Sequence, residues 1–185
     1  DIFILSKRNP LNLYQTVKQE LQDSYKLVVH DLNTEGKSKS GLISEKFNFL
    51  GYEFFHGLAR IKKESIHRIE SSLARIFTAY KYRCEAIARN PSPVDRKRDR
   101  LKAKRICAWR LNLRISGCLF DGVRRGWVFY FSQIDEQALE QLHELDNTVR
   151  SLALRFSFSS KELKSFVRTF HESKRSILNH RYIPD

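Results

Sequence analysis

The sequence predicts an α+β fold, with a small antiparallel sheet followed by a mainly α-helical bundle. Aromatic side chains at positions 47, 49, 52 and 54 alternate on both sides of Gly51, as in strands with one buried face. Apolar residues then recur at helical spacing between residues 66 and 87, and again after residues 135 and 159. The 185 residues, 41% of them hydrophobic, suffice for one good core or two small ones. No apolar run approaches about eighteen residues, so we expect no membrane span.

The chain opens with a short apolar stretch, residues 2–5, which we interpret as a strand. Asn9 can cap a helix that starts at Pro10, and the apolar face of this helix holds Tyr14, Val17, Leu21 and Tyr25. We predict a second strand at residues 26–30, followed by a polar loop at residues 31–41.

Residues 46–55 and 58–62 complete the predicted sheet, with His56 and Gly57 as the turn between them. Gly51 interrupts the first of these stretches, at a point where the backbone must bend or approach something closely. On the residues alone, a structural glycine at a bulge or a hairpin corner is the favoured interpretation, and a functional role depends on the surrounding sequence.

A long helix is predicted from Ser65, because one stripe of about six turns contains Ile66, Ile69, Leu73, Ile76, Phe77, Tyr80, Cys84 and Ile87. The prolines within residues 89–95 end this helix. A second helix is predicted from Asp95 to the neighbourhood of Gly117. Its first half, residues 95–105, is too rich in Lys and Arg to face an apolar core, whereas its second half is more apolar.

Residues 121–131 combine a turn signal with an aromatic run, and their pattern leaves a hairpin and a helix start as open alternatives. Asp135 is predicted to cap a helix with an apolar face of Ala138, Leu142, Leu145, Val149 and Leu152. Ser159 and Glu162 form a capping box that predicts a last helix, with Leu163, Phe166, Val167 and Phe170 on its inner face.

The positive charge is concentrated in the middle of the chain. Lys and Arg number 34 against 21 Asp and Glu, a formal net charge of +13. Residues 58–132 hold 19 basic and 6 acidic side chains, while the flanks are balanced, with 7 of each before and 8 of each after. Such a distribution is typical of a surface that follows nucleic-acid phosphates. A merely solvated basic face is the weaker alternative because the flanks are neutral.

The cysteines, the histidines and the start of the chain indicate which kind of protein this is. Three cysteines without a Cys-x-x-Cys pair argue against a disulfide framework, and the scattered histidines lack the spacing of a zinc site. The chain contains no Met and starts at Asp1 inside an apolar stretch, so we expect a segment of a longer protein. Because nothing at its start resembles a signal peptide, a cytoplasmic protein is expected.

Several stretches together resemble the downstream palm of reverse transcriptases. Asp1 followed by IFIL is similar to the end of the Tyr-x-Asp-Asp metal motif and its strand. Residues 32–38 (LNTEGKS) resemble the next loop of that family, and residues 49–52 (FLGY) look like its primer-grip turn. Residues 126–131 (GWVFYF) and 142–146 (LHELD) resemble the thumb of group II intron-like bacterial enzymes, and among these the defence-associated reverse transcriptases.

The resemblance implies two units, a C-terminal palm with the primer-grip hairpin at residues 1–63 and a helical thumb at residues 64–185. It implies an RNA template, a DNA primer or product, deoxynucleotides and two Mg²⁺ ions. Asp1 would then be a catalytic metal ligand, and Lys37 would approach the phosphates of the incoming nucleotide, a position that Lys39 could also take. Without the resemblance, a terminal surface carboxylate is favoured for Asp1, and a solvated loop lysine is as good a description of Lys37.

The resemblance also implies a set of residues that bind nucleic acid. The grip turn comprises Phe49, Leu50, Gly51 and Tyr52, where a glycine lets the primer strand approach the backbone. The cations after it are Arg60, Lys62 and Lys63. Arg68 and Arg75, one on either side of the Ile69 and Leu73 stripe, extend this line. The basic helix adds Arg96, Lys97, Arg98, Arg100, Lys102, Lys104 and Arg105, whose contacts give affinity rather than sequence choice.

Trp109 and Trp127 could stack on bases, but packing in the core is the favoured expectation for both. Phe129, Tyr130 and Phe131 are likewise expected in the core.

Two functions remain open. One is an RNA-directed DNA polymerase in antiviral defence, with a noncoding RNA or a second protein subunit as further partner. The other is a non-catalytic RNA-binding module of the same fold, such as a maturase-like or scaffold protein.

Overall fold

A computed structural model describes residues 2–7, 10–32, 38–121, 123–159 and 161–180. The predicted α+β class is confirmed, since a small antiparallel sheet precedes a helical bundle. The helices are α1 (Pro10–Tyr25), α2 (Lys63–Ala88), α3 (Pro93–Ser116), α4 (Trp127–Tyr130), α5 (Glu140–Arg155) and α6 (Phe166–His180). The strands are β1 (Phe47–Phe49), β2 (Tyr52–Phe55), β3 (Leu58–Ile61), β4 (Cys118–Phe120) and β5 (Val123–Arg125).

The first three strands form an antiparallel meander in the order β1-β2-β3. Phe49 pairs with Tyr52, which leaves a two-residue turn of Leu50 and Gly51 with φ values of 49° and 81°. Positive φ at both central residues is the signature of a tight hairpin turn that suits the twist of the strands. Of the two predicted alternatives for Gly51, a bulge or a hairpin corner, the structure has the hairpin corner, and the predicted turn at residues 56–57 is confirmed.

The outer edge of β3 is closed by side chains instead of a fourth strand. The Asp135 carboxylate accepts a hydrogen bond from the Ala59 N–H, and the Asp135 N–H donates to the Ala59 carbonyl at 3.0 Å. The Gln141 amide does the same for Ile61, accepting from its N–H and donating to its carbonyl, both at 2.9 Å. These four bonds satisfy the edge and attach the sheet to the helices that follow.

Helix α2 matches its predicted apolar stripe and begins at Lys63, two residues before the predicted start. Helix α3 begins at Pro93 and not at Asp95, because Ser92 is its N-cap and its hydroxyl accepts from the Asp95 N–H at 3.3 Å. It ends at Ser116, directly before Gly117, as predicted. The ambiguous stretch after it contains both alternatives in succession, the β4-β5 hairpin and the short helix α4.

Two predicted helix starts are wrong, because the Asp135 carboxylate bonds to Ala59 and the first N–H groups of the last helix bond to Asp146. Asp135 makes no side-chain cap, and after a 3-10 helix at Glu136–Ala138 the helix α5 starts at Glu140. Glu162 does accept from the Ser159 N–H at 2.6 Å, but this bond closes a turn only. Helix α6 starts at Phe166, where Asp146 of α5 accepts the Phe166 N–H at 2.7 Å.

Two predicted strands are also wrong. Residues 2–5 and 26–30 carry no regular secondary structure, although α1 between them is confirmed; Asn9 lies outside the described residues. Neither segment pairs with a strand among the described residues, and an apolar pattern without a pairing partner cannot form a sheet. Leu5 and Val28 are 69% and 86% exposed, while Phe3 packs on Phe47 and Phe49 with ring centroids 5.5 Å away.

Sheet and bundle share one hydrophobic core. Tyr52 and Ile61 of the sheet belong to the same buried cluster as residues from every helix between α2 and α6. The fully buried members from the helices include Leu73, Phe77, Leu111, Leu142, Leu145, Phe166 and Phe170. None of the helices in the described ranges is long and apolar enough to cross a membrane.

Candidate nucleic-acid interface

The turn between β1 and β2 is fixed to helix α4 by two tyrosines. The Tyr130 hydroxyl donates to the Leu50 carbonyl at 2.7 Å, and the Tyr52 hydroxyl donates to the Tyr130 carbonyl at 2.5 Å. The Gly51 carbonyl accepts from the Lys62 N–H at 2.9 Å. Both carbonyls of the turn are thus used inside the protein, and the turn is attached to α4 and to the start of α2.

The side of Gly51 on which a side chain would stand faces the protein interior. A Cβ at this position would lie 3.2 Å from the Phe131 ring and 3.3 Å from the Ser65 hydroxyl. The side of the turn that faces solvent carries Leu50, which is 47% exposed. The N–H groups of Leu50 and Gly51 have no acceptor within the described part of the chain.

Tyr52 is the buried centre of this arrangement. Its ring lies 5.2 Å from that of Phe131 and 6.3 Å from that of Tyr130. Burial raises the pKa of Tyr52, while a hydrogen bond from the Gln133 N–H acts in the opposite direction. The hydroxyl therefore stays protonated at neutral pH and can donate to the Tyr130 carbonyl.

Helix α2 carries a row of cations on its outward face. Arg68, Arg75 and Tyr82 share this face because they are spaced by seven residues, and Arg89, the C-cap residue directly after the helix, continues the same spacing. Consecutive members are about 10 Å apart along the axis at 1.5 Å per residue. All four are exposed, Tyr82 to 64%. Arg68 and Arg75 therefore lie on one face, and the expectation that they flank the apolar stripe on either side is wrong.

Arg114 of α3 joins this row from the neighbouring helix. Its Nε donates to the buried Ser72 hydroxyl of α2 at 2.8 Å. Ser72 is one helical turn from both Arg68 and Arg75, so the three guanidinium groups belong to one patch of surface. We call Arg68, Arg75 and Arg114 the arginine patch.

The arginine patch begins next to the hairpin turn. Ser65, which faces Gly51, precedes Arg68 by three residues on the same side of α2. The turn and the arginine patch therefore form one continuous surface along the first half of α2.

The predicted cations of α3 fall into two groups. Three have partners within the protein: Arg96 donates to the Asn90 carbonyl at 2.7 Å and Lys104 pairs with Glu162 at 3.0 Å, while Arg98 pairs with Asp95 at 2.9 Å on the exposed surface. Four are exposed and have no ion pair with a described residue, namely Lys97, Arg100, Lys102 and Arg105. The helix is therefore cationic toward solvent, but its cations do not all point outward.

The cations after the hairpin divide in a similar way. Arg60 pairs with Glu140 of α5 at 2.6 Å, and Lys62 lies 3.6 Å from Glu64. Lys63 is exposed and is unpaired within the described ranges. Of these three, Lys63 is the one available to a phosphate.

The aromatic residues follow the expectation only in part. Trp127 is half-buried against Phe131 and Phe166, with ring centroids at 4.7 and 5.5 Å, as expected. Trp109 is 62% exposed, so its predicted place in the core is wrong. Phe131 is buried and Phe129 is half-buried, but Tyr130 is 54% exposed and its hydroxyl bonds to the hairpin turn.

The predicted catalytic residues, Asp1 and Lys37, lie outside the described residues. Lys39, the alternative to Lys37, is exposed. Among the described residues, His, Cys, Asp and Glu side chains form no group of three that could hold a metal ion.

Comparison of the chain with protein-family models, with curated proteins and with solved structures finds no match in any of the three.

Three members of this surface were not predicted from the sequence. Tyr82 and Arg89 could have been found, because they continue the seven-residue spacing of Arg68 and Arg75. Arg114 could not, since its place beside Ser72 depends on how α3 packs against α2.

Proposed function

We propose that this chain grips a nucleic-acid duplex as the C-terminal palm and thumb of a bacterial reverse transcriptase. The hairpin turn would meet the end of the primer strand, and the outward face of α2 would follow the duplex away from it. An RNA template and a DNA primer or product are the proposed ligands. A role in antiviral defence and a cytoplasmic location belong to the same proposal.

The observation that carries this proposal is the continuous surface from the Leu50–Gly51 turn to the arginine patch. Two N–H groups of the turn, which have no acceptor among the described residues, would donate to a phosphate. Arg68 and Arg75 of α2 follow, with Arg114 of α3 beside them. A spacing of about 10 Å between Arg68 and Arg75 suits contacts to phosphates that are not adjacent on one strand. Such contacts fix the position of a duplex without reading its bases.

The catalytic part of the proposal depends on Asp1 and Lys37. Asp1 would be one carboxylate ligand of two Mg²⁺ ions, which in nucleotidyl transfer activate the primer 3′-hydroxyl and stabilise the leaving pyrophosphate. Lys37 would lie near the phosphates of the incoming deoxynucleotide.

A substitution of the arginine patch tests the binding surface. We expect Arg68→Ala, Arg75→Ala and Arg114→Ala together to weaken binding of an RNA–DNA duplex. The slope of log K against log salt should become shallower by about 2 to 3, since each lost phosphate contact removes about 0.7 to 0.9. The matched control removes three exposed arginines of α5 and α6, Arg150, Arg168 and Arg175, and should change neither quantity as much. Equal effects in both variants would show that only the net charge matters and would refute the surface.

Primer extension separates a polymerase from a non-catalytic RNA-binding module. In the intact protein, Asp1→Ala should abolish DNA synthesis and leave the affinity for duplex nearly unchanged. An intact protein that binds the duplex through the arginine patch but never extends a primer would support the binding module instead. Synthesis that survives Asp1→Ala would remove Asp1 from catalysis.

A further inference from the structure

Helix α3 carries two apolar faces, of which only one is covered. Its inner face consists of Ala103, Cys107, Leu111 and Ile115, all buried in the core. On the opposite side, Ile106, Trp109 and Leu113 are 43%, 62% and 36% exposed. Their spacing of three and four residues places them in one line along the helix. We call these three residues the outer seam.

The outer seam has the spacing of a helix–helix contact. Alternating intervals of three and four residues are those of the apolar positions in a coiled coil, where they interlock with a partner helix. The seam spans about 10 Å along the axis, or two helical turns. An amphipathic helix normally buries such a line, so a second apolar line on one helix indicates a second neighbour.

Cations flank the seam on both sides. Arg105 directly precedes Ile106, and Arg110 directly follows Trp109. In coiled coils, charged residues at these flanking positions determine which partner helix binds. Lys102 lies one turn before Ile106. All three are exposed, and none has an acidic partner among the residues that the structure describes. The nearest acid on α3, Asp99, lies 3.5 Å from the Arg98 Nε and is taken by that arginine.

We propose that the outer seam docks an acidic amphipathic helix of a partner protein. Apolar residues of that helix would cover Ile106, Trp109 and Leu113, while Glu or Asp beside them would pair with Arg105 and Arg110. A second copy of this chain fits poorly because its seam would bring arginine against arginine. Single-stranded RNA fits poorly as well, since Ile106 and Leu113 offer neither a ring for stacking nor a hydrogen-bond donor.

Synthetic peptides added to the full chain test this proposal. The probe is a helical peptide of about three heptads with Leu at the apolar positions and Glu at the flanking ones; the comparison peptide carries Lys instead of Glu. Titration calorimetry should detect binding of the Glu peptide only. Tryptophan emission should shift to shorter wavelength on binding, because Trp109 moves from water into the contact.

Variants locate the contact and its charge preference. Trp109→Ala should weaken the Glu peptide about tenfold or more, as expected for a central aromatic contact. Arg105→Glu with Arg110→Glu should reverse the preference, so that the Lys peptide binds and the Glu peptide does not. Arg168→Glu with Arg175→Glu makes the same charge change on α6 and should preserve the preference. All these side chains are exposed, and circular dichroism checks that each variant is folded.

Four results would overturn the proposal. One is equal affinity for both peptides. A second is that Arg168→Glu with Arg175→Glu loses as much affinity for the Glu peptide as Arg105→Glu with Arg110→Glu does. A third is poly(U) RNA that displaces the Glu peptide and binds through Trp109 more tightly than the peptide does. The fourth is self-association of the chain that Trp109→Ala abolishes, which would make a second copy the occupant.

Discussion

The hydroxyl of Tyr52 donates a hydrogen bond to the carbonyl of Tyr130, 78 positions later in the chain, at 2.5 Å. Tyr130 in turn donates from its hydroxyl to the Leu50 carbonyl of the hairpin turn at 2.7 Å. The position of the turn is therefore set by α4 and not by the hairpin alone. If the turn meets a primer strand, it does so as part of the same rigid unit as the helices.

Removing the two hydroxyls should have unequal effects on stability. Tyr130→Phe should cost about 1 kcal/mol, because the exposed turn can offer the Leu50 carbonyl to water. Tyr52→Phe should cost more, about 2 kcal/mol, since the buried hydroxyl also accepts from the Gln133 N–H. Urea denaturation measures both. Tyr82→Phe, which removes an exposed hydroxyl on α2, is the control, and a Tyr52→Phe no more costly than this control would contradict the link.

Comparison of Gly51 with Gly57 separates the effect of packing at Gly51 from the effect of its positive φ. Gly57→Ala should cost about 1 kcal/mol, because φ is 77° but the site has open space around it. Gly51→Ala should cost about 1 kcal/mol more, since the new methyl group would also press on Phe131 and Ser65. The difference in unfolding free energy between the variants measures this contact. Equal costs would mean that the backbone conformation alone requires the glycine.

Stability should fall at alkaline pH because of Tyr80 of α2, which is partly buried, and Cys107 of α3, which is buried. Burial raises the pKa of the Cys107 thiol from 9.0 to about 11, and burial with a hydrogen bond to Cys84 raises the pKa of Tyr80 to about 12. Between pH 9 and 11 the folded protein keeps a thiol proton that the unfolded chain has lost. The unfolding free energy therefore has its full value below pH 9 and decreases as the pH rises above 9.

Thiol variants test this pH dependence. Cys107→Ala should flatten the decrease between pH 9 and 11, although it lowers stability at every pH by removing a buried side chain. Cys118→Ala replaces an exposed thiol and should keep the decrease of the wild type. A series of urea titrations at different pH values gives the slopes. An unchanged slope in Cys107→Ala would show that this thiol does not cause the decrease.

Gln141 should contribute more to the stability of the fold than an ordinary polar residue of a helix. Gln141→Ala would leave the N–H and the carbonyl of Ile61 without partners at a position that is 1% exposed. We expect a loss of about 2 to 3 kcal/mol and faster hydrogen exchange of the Ile61 amide. Gln137→Ala, at an exposed position of the 3-10 helix, should change neither. An Ile61 amide that stays protected in Gln141→Ala would mean that another group replaces the glutamine.

The order of helices and the meander could be predicted because their signals are local. The apolar stripe of α2 repeats along one helix, and the aromatic alternation around Gly51 lies within eight residues. The strands at residues 2–5 and 26–30 were wrong because a strand depends on its neighbours. The caps at Asp135 and Ser159 were misplaced because the decisive partners, Ala59 and Asp146, are distant in sequence.

The candidate site was predictable in composition but not in arrangement. The excess of cations in the middle segment predicts a phosphate surface, and this stays a prediction. The sequence does not tell which cations bond within the protein, as Arg96 and Lys104 do. Trp109 was misplaced because α3 has apolar residues on two faces, and a period of 3.6 residues does not tell which of them is inside.

The two edges of the β1-β2-β3 sheet differ, because side chains close the edge at β3 and not the edge at β1. Asp135 and Gln141 occupy every main-chain group of Ala59 and Ile61, whereas no strand of the described residues lies against the outer border of β1. Any further strand, whether from correct assembly or from aggregation, has to be templated from Phe47–Phe49. The sheet can therefore grow in one direction only.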